Sequence, residues 1–166
     1  MCELKPLLKT AVPAALEKAK HYRLLNEAVE AESICLDIIE IEPDNQNALI
    51  VLLLAQTDQF EQELSTKFSA ARDTLKRLQD DYNVAYYRGI ICERRAKFHL
   101  HGSTPGSGHI AYDWFRQAME SYEKAMAARP SGDDDAILRW NTCARILKNH
   151  PEVMPSSAGP GQEMLE

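Results

Sequence analysis

Three histidines, His99, His101 and His109, flank a glycine-rich stretch, and a His-x-His pair with a third His nearby imitates a catalytic zinc shell. Their spacing is loose and Asp113 is the one acid at hand to orient a ligand, so a polar turn accounts for them better. Between them, Gly102, Ser103, Thr104, Pro105, Gly106, Ser107 and Gly108 suggest a phosphate cradle. No strand leads into that stretch and no Gly-Lys-Ser/Thr follows it, which leaves a turn. Asp133, Asp134 and Asp135 lack the alternating acids, central Gly and final Glu of a calcium loop, and they suit the positive end of a helix dipole. Cys2, Cys35, Cys92 and Cys143 form no CxxC pair; three stand among apolar neighbours at helical spacing, where a thiol packs as a small hydrophobe. Nucleophile motifs of the GxSxG or HExxH kind are missing from the sequence. Trp114 and Trp140 would make a base-stacking platform, but beside Phe115 and Ala144 at helical spacing they read as packing residues. The expectation is a chain with no catalytic residues, no metal and no cofactor.

The elements that carry these residues are helical. Only 7 glycines occur in 166 residues, with no Asn-Gly or Asp-Gly hairpin dipeptide and no sustained period-2 alternation, so the expected class is all-α. With 19 Lys+Arg against 25 Asp+Glu, the net charge of -6 speaks against a nucleic-acid partner. The longest apolar run, residues 48–55, falls well short of the ~20 residues needed to cross a bilayer. The first residues lack a basic segment followed by an apolar one. A soluble, cytoplasmic protein with no membrane partner is expected.

An internal repeat organises the chain. Segments 28–43, 68–83 and 115–130 align without gaps, and their apolar positions step by three, four and three. These are Ala28, Ala31, Cys35 and Ile38; Phe68, Ala71, Leu75 and Leu78; and Phe115, Ala118, Tyr122 and Ala125. Such steps place four side chains on one helix stripe. Each segment ends five residues later on a stop, at Pro43, Asn83 or Pro130. The second position is Ala every time, because a methyl group lets paired helices approach closely. Partner helices are expected at 11–25, 46–59 and 83–100, with a seventh at 133–149.

This arrangement resembles the tetratricopeptide repeats, whose second helix carries a small residue, a large apolar one four later, a small one three later, and Pro five beyond. Ala118, Tyr122, Ala125 and Pro130 match it outright, and the other two segments match with weaker residues. Tyr86, Tyr87, Arg88 and Gly89 look like the aromatic stretch leading to Gly in the family's first helix, with Ala19 and Tyr22 at the corresponding small and aromatic positions of the first pair. The stops lie 40 and 47 residues apart, longer than the family's unit of about 34. The extra residues are assigned to 57–66 and to the turn at 101–108. The implied organisation is a helical domain over 1–150, an α-solenoid of three helix pairs (about 11–43, 46–83 and 83–130) with a capping helix over 133–149. Residues 151–166, rich in Pro, Gly and Ser, are expected to form a disordered tail.

In that family the first helices line a concave groove that holds a partner's extended peptide or helix. Carried over residue by residue, the resemblance implies partner contacts at Leu16, Lys20, Arg23, Asn47, Ile50, Leu54, Asp58, Tyr86, Ile90, Arg94, Asn141 and Arg145. For Leu16, Ile50, Leu54 and Ile90, packing into the core is the competing reading. The family's clamp for a C-terminal carboxylate is not expected, because Leu16, Lys20 and Val51 occupy the first three of its places. Lys20, Arg23, Arg94 and Arg145 against Asp58 suggest a positive groove on an acidic chain, suited to an acidic-hydrophobic protein segment. The implied role is a non-catalytic protein-interaction module; a secretion chaperone of similar size and a homo-oligomeric structural subunit are the alternatives.

Overall fold

Pro13 and Asn26 delimit the first helix. Pro at the second helical position costs no hydrogen bond and presets φ, while Asn26 takes a left-handed φ of 63° just past the end and turns the chain back. In the computed structural model, which describes residues 2–157, a 3-10 turn (Lys9–Ala11) precedes α1 (Val12–Leu24). There follow α2 (Ala28–Ile41), α3 (Gln46–Thr57), α4 (Phe60–Leu75), α5 (Asp81–Leu100), α6 (Ser107–Ala128) and α7 (Asp135–Asn149). Among the described residues there is no strand, and no helix is long and apolar enough to cross a membrane.

Side chains set several of the helix starts. Asn45 accepts from the Ala48 N–H at 3.0 Å to begin α3, and Asp80 accepts from the Asn83 N–H at 2.9 Å to begin α5. Gly106 and Gly132, both at φ 83°, turn the chain ahead of α6 and α7. Asp133, one residue before the N-cap of α7, accepts with its carboxylate from the Asp135 N–H at 3.0 Å and from the Tyr82 hydroxyl at 3.1 Å.

Each helix packs against the next in sequence, and α1 also touches α3 as α3 touches α5. Apolar packing follows the same order in three successive clusters. Val12, Leu16, Cys35, Ile38 and Leu52 join α1 to α3; Leu49, Leu53, Phe60, Ala71 and Ile91 join α3 to α5; Ile90, Phe115, Tyr122, Ala125 and Cys143 join α5 to α7. The single core that the chain length suggests is thus drawn out along the sequence. Buried from Ala48 through Thr57 except at Ile50 and Leu54, α3 is covered on both sides, which explains a helix without a polar face. The repeated alanines Ala31, Ala71 and Ala118 are all fully buried. At the α5–α6 contact, Gly89 faces the Tyr122 ring so closely that a Cβ there would lie 2.4 Å from Cε1.

Three expectations need correction. Asn83 does not stop a helix: α4 ends at Leu75, and Asn83 lies in the first turn of α5 because Asp80 caps that helix. The second segment's helix starts at Phe60 rather than Phe68, with non-helical backbone at Glu63 (φ −142°, ψ 59°), so the extra residues extend and kink α4. The start of the expected tail is packed. Val153 is buried in the cluster of α5, α6 and α7, the His109 ring N–H donates to the Met154 carbonyl at 2.8 Å, and a Cβ on Gly108 would lie 2.5 Å from the Glu152 carbonyl oxygen. The remainder of that tail, 158–166, lies outside the described residues.

Candidate functional site

The stripe Leu16, Lys20, Arg23 runs along α1 at steps of four and three, and its last member reaches the end of α3. There Asp58 follows the final turn, at the negative end of the helix dipole, where a carboxylate is unfavourable without cations. Arg23 supplies a two-pronged contact, Nε to Oδ2 at 2.6 Å and Nη2 to Oδ1 at 3.3 Å, and Arg94 from α5 donates to Oδ1 as well. Three residues from the implied groove, up to 71 positions apart in sequence, therefore meet in one ionic cluster.

The adjacent residue on α5 builds a second cluster. Glu93 is 1% exposed, and a buried carboxylate is tolerated only when charges and hydrogen bonds surround it. It accepts from the Tyr122 hydroxyl at 2.6 Å, from Arg139 Nη1 at 3.3 Å and from Lys97. Four cations from α1, α5 and α7 thus surround two carboxylates. The cationic side chains are between 22% and 37% exposed, so the excess positive charge reaches solvent.

Burial and then repulsion from Arg23 and Arg139 push the Arg94 guanidinium down to about 10, which leaves it charged at neutral pH. Burial lowers Arg23 too. For Arg139 burial acts downward, but Glu93 and the Tyr86 hydroxyl outweigh it and the group is raised. Burial, then the Glu93 charge and hydrogen bond, hold the Tyr122 hydroxyl protonated far above its ordinary range.

The other implied contacts divide into accessible and buried. Lys20 is exposed and pairs with Glu17 at 2.7 Å; Asn47 is exposed beside Leu16 in a shallow groove between the starts of α1 and α3. Tyr86 is half-buried, stacked on Tyr82 with centroids 5.7 Å apart and tilted against Tyr122. Ile50 and Leu54 are partly buried against the core clusters, Asn141 is partly exposed, and Arg145 is exposed. Leu16 and Ile90, 9% and 1% exposed, pack the interior and offer almost no surface to a partner. The sequence reading missed Glu93, Lys97, Tyr122 and Arg139 as a network. An acid directly after Ile90, Ile91 and Cys92 was the available signal.

The residues that suggested chemistry are held apart. His101 faces Glu61 at 3.5 Å, His109 faces Met154, and the half-buried His99 lies edge-on to Phe98. Among the described residues, no group of three His, Cys, Asp or Glu is placed to hold a metal ion. Burial pushes the thiols of Cys35 and Cys143 up to about 12 and that of Cys92 up to about 11, which makes them poor nucleophiles. Trp114 and Trp140 do not form one platform: Trp114 meets Phe68 and Arg95, and Trp140 donates to Glu123 at 3.0 Å. No family model, curated protein or solved structure matches this chain.

Proposed function

We propose that this chain is a non-catalytic protein-interaction module, a solenoid of three tetratricopeptide-like helix pairs with α7 as cap, whose first-helix face holds an acidic, apolar-anchored segment of a partner protein. The observation that carries this reading is the surplus of Arg23, Arg94, Arg139 and Lys97 over Asp58 and Glu93 on a chain of net charge -6. The contacts of α1 with α3 and of α3 with α5 support a face built from alternate helices, and the seating of Tyr122 on Gly89 supports the pairing of α5 with α6. Guanidinium N–H groups left facing solvent would take carboxylates of the partner, while Tyr86 and Leu54 give its apolar side chains something to cover. Charge of this kind sets orientation and association rate more than affinity.

The test is selection of random displayed peptides on the purified protein, followed by binding measurements with Lys20→Glu/Arg139→Gln at two salt concentrations. Enriched peptides should carry Asp or Glu beside large apolar residues and bind the variant at least tenfold more weakly at low salt. Enrichment of basic peptides, or equal binding to a variant that melts as a folded protein, would refute the reading.

A further inference from the structure

A second groove, formed by α4, α5 and α6, uses none of the residues of the ionic clusters. It is about 340 Å³, of a size to bury one or two large side chains. Its floor is apolar and aromatic: Phe68 from α4, Ile91 from α5 and Trp114 from α6. Its rim is basic: Arg72 and Lys76 along the end of α4, and Arg88 on α5. No carboxylate lines it.

The sequence builds this groove by register. On one helix Phe68, Arg72 and Leu75 fall at steps of four and three; on the next Val84, Arg88 and Ile91 repeat the pattern, with an arginine at the centre of each triplet. Both arginines are exposed, and neither has an ion pair among the described residues. Lys76 has only a solvent-exposed contact with Asp73, which is screened and weak. A third arginine, Arg95, stands over both floor rings, 4.0 Å from the Phe68 centroid and 4.3 Å from the Trp114 centroid. Aromatic rings with arginines around them are the residue types that dominate the energetics of protein interfaces.

From this juxtaposition we infer that the α4–α5–α6 groove is a second docking site, for a short protein segment that seats a large apolar side chain on Phe68, Ile91 and Trp114 and directs Asp or Glu to Arg72, Lys76 and Arg88. Charge complementarity selects this occupant. A basic segment meets repulsion on three sides, and a purely apolar one leaves the rim without a counter-charge. The two floor rings are edge-on to each other, with centroids 5.5 Å apart, and Arg95 stands over both, so they form no parallel pair between which a nucleotide base would stack. Two sites on one chain would let it hold two segments of one partner, or two partners at once.

The experiment uses the full chain carrying Trp140→Phe, so that Trp114 alone reports by fluorescence. Peptides selected from the random displayed library are titrated into it, into the same chain with Arg72→Glu/Arg88→Glu, and into the same chain with Lys20→Glu/Arg139→Gln. A class of acidic, apolar peptides should shift Trp114 emission, lose at least tenfold in affinity with the first pair of substitutions, and keep its affinity with the second. If no selected peptide moves Trp114, or if those that do bind the folded Arg72→Glu/Arg88→Glu variant equally well, the site is refuted. Displacement of the peptides by a single-stranded oligonucleotide, or by laurate at lower concentration, would overturn the protein occupant. A gain in affinity on deleting residues 158–166 would assign the groove to this chain's own end. Loss of binding with Lys20→Glu/Arg139→Gln alone would refute the groove while leaving the first-helix face standing.

Discussion

Replacing Gly89 with Ala isolates the contact that joins α5 to α6. The added Cβ would lie 2.4, 2.6 and 2.9 Å from Cε1, Cδ1 and Cζ of Tyr122, against the roughly 3.5–4.0 Å that carbon atoms prefer, so the ring must retreat by about 1 Å. It has little room to do so, because Tyr122 is fully buried and its hydroxyl is held by Glu93 at 2.6 Å. Overpacking of this kind costs about 1–3 kcal/mol. Alanine regains about 1 kcal/mol of helix propensity over glycine. The net loss should be about 0–2 kcal/mol, seen in thermal or urea melts followed by circular dichroism as a fall of up to about 8 °C. In a Tyr122→Val background the ring atoms are gone, and the same Gly89→Ala change should raise stability by about 1 kcal/mol. An increase in melting temperature on Gly89→Ala in the unmodified chain would refute the proposed helix contact.

Ala118→Leu, at a fully buried position, should also lower stability by about 1–3 kcal/mol in a urea melt. Val153→Ala should cost roughly 1 kcal/mol by the same measurement, because that side chain is 5% exposed and packed with α5, α6 and α7; no change would mean that it makes no stabilising contact. Iodoacetamide at pH 8 should label Cys2 first, with Cys35, Cys92 and Cys143 protected until the chain unfolds, as mass spectrometry of the digested protein would show. Those three thiols are pushed up to about 11–12 from about 9, so the folded state holds their protons where the unfolded chain has lost them. Stability should therefore be insensitive to them below pH 9 and fall above it by roughly 1 kcal/mol per thiol per pH unit. A melting temperature that stays level from pH 8 to 10.5 would contradict this.

The sequence carried much of the fold because its strongest signals are local. Steps of three and four around Ala31, Ala71 and Ala118 marked stripes that are buried except at the partly buried Ala28, Phe68 and Leu75, and the apolar run at 48–55 marked the helix covered from both sides. It misled where a local signal met a competing one. Asn83 looks like a stop, but Asp80 three residues earlier caps a helix that runs through it. Composition marked 151–157 as tail, yet one apolar residue there finds a site on a distant helix. Of the candidate site, Arg23, Asp58 and Arg94 were named without being seen to bond one another. Glu93 and Arg139 were missed, since their contact joins positions 46 apart and leaves no mark in spacing.

We propose recognition of a partner's acidic segments by the arginine surplus on the face of α1, α3, α5 and α7. Its most direct measurement is NMR observation of the side-chain Nε–H groups of Arg23, Arg94 and Arg139 as a selected acidic peptide is titrated in. These signals should shift and saturate together, with midpoints that rise with salt. Arginine signals that stay fixed while the peptide saturates elsewhere on the protein would contradict it.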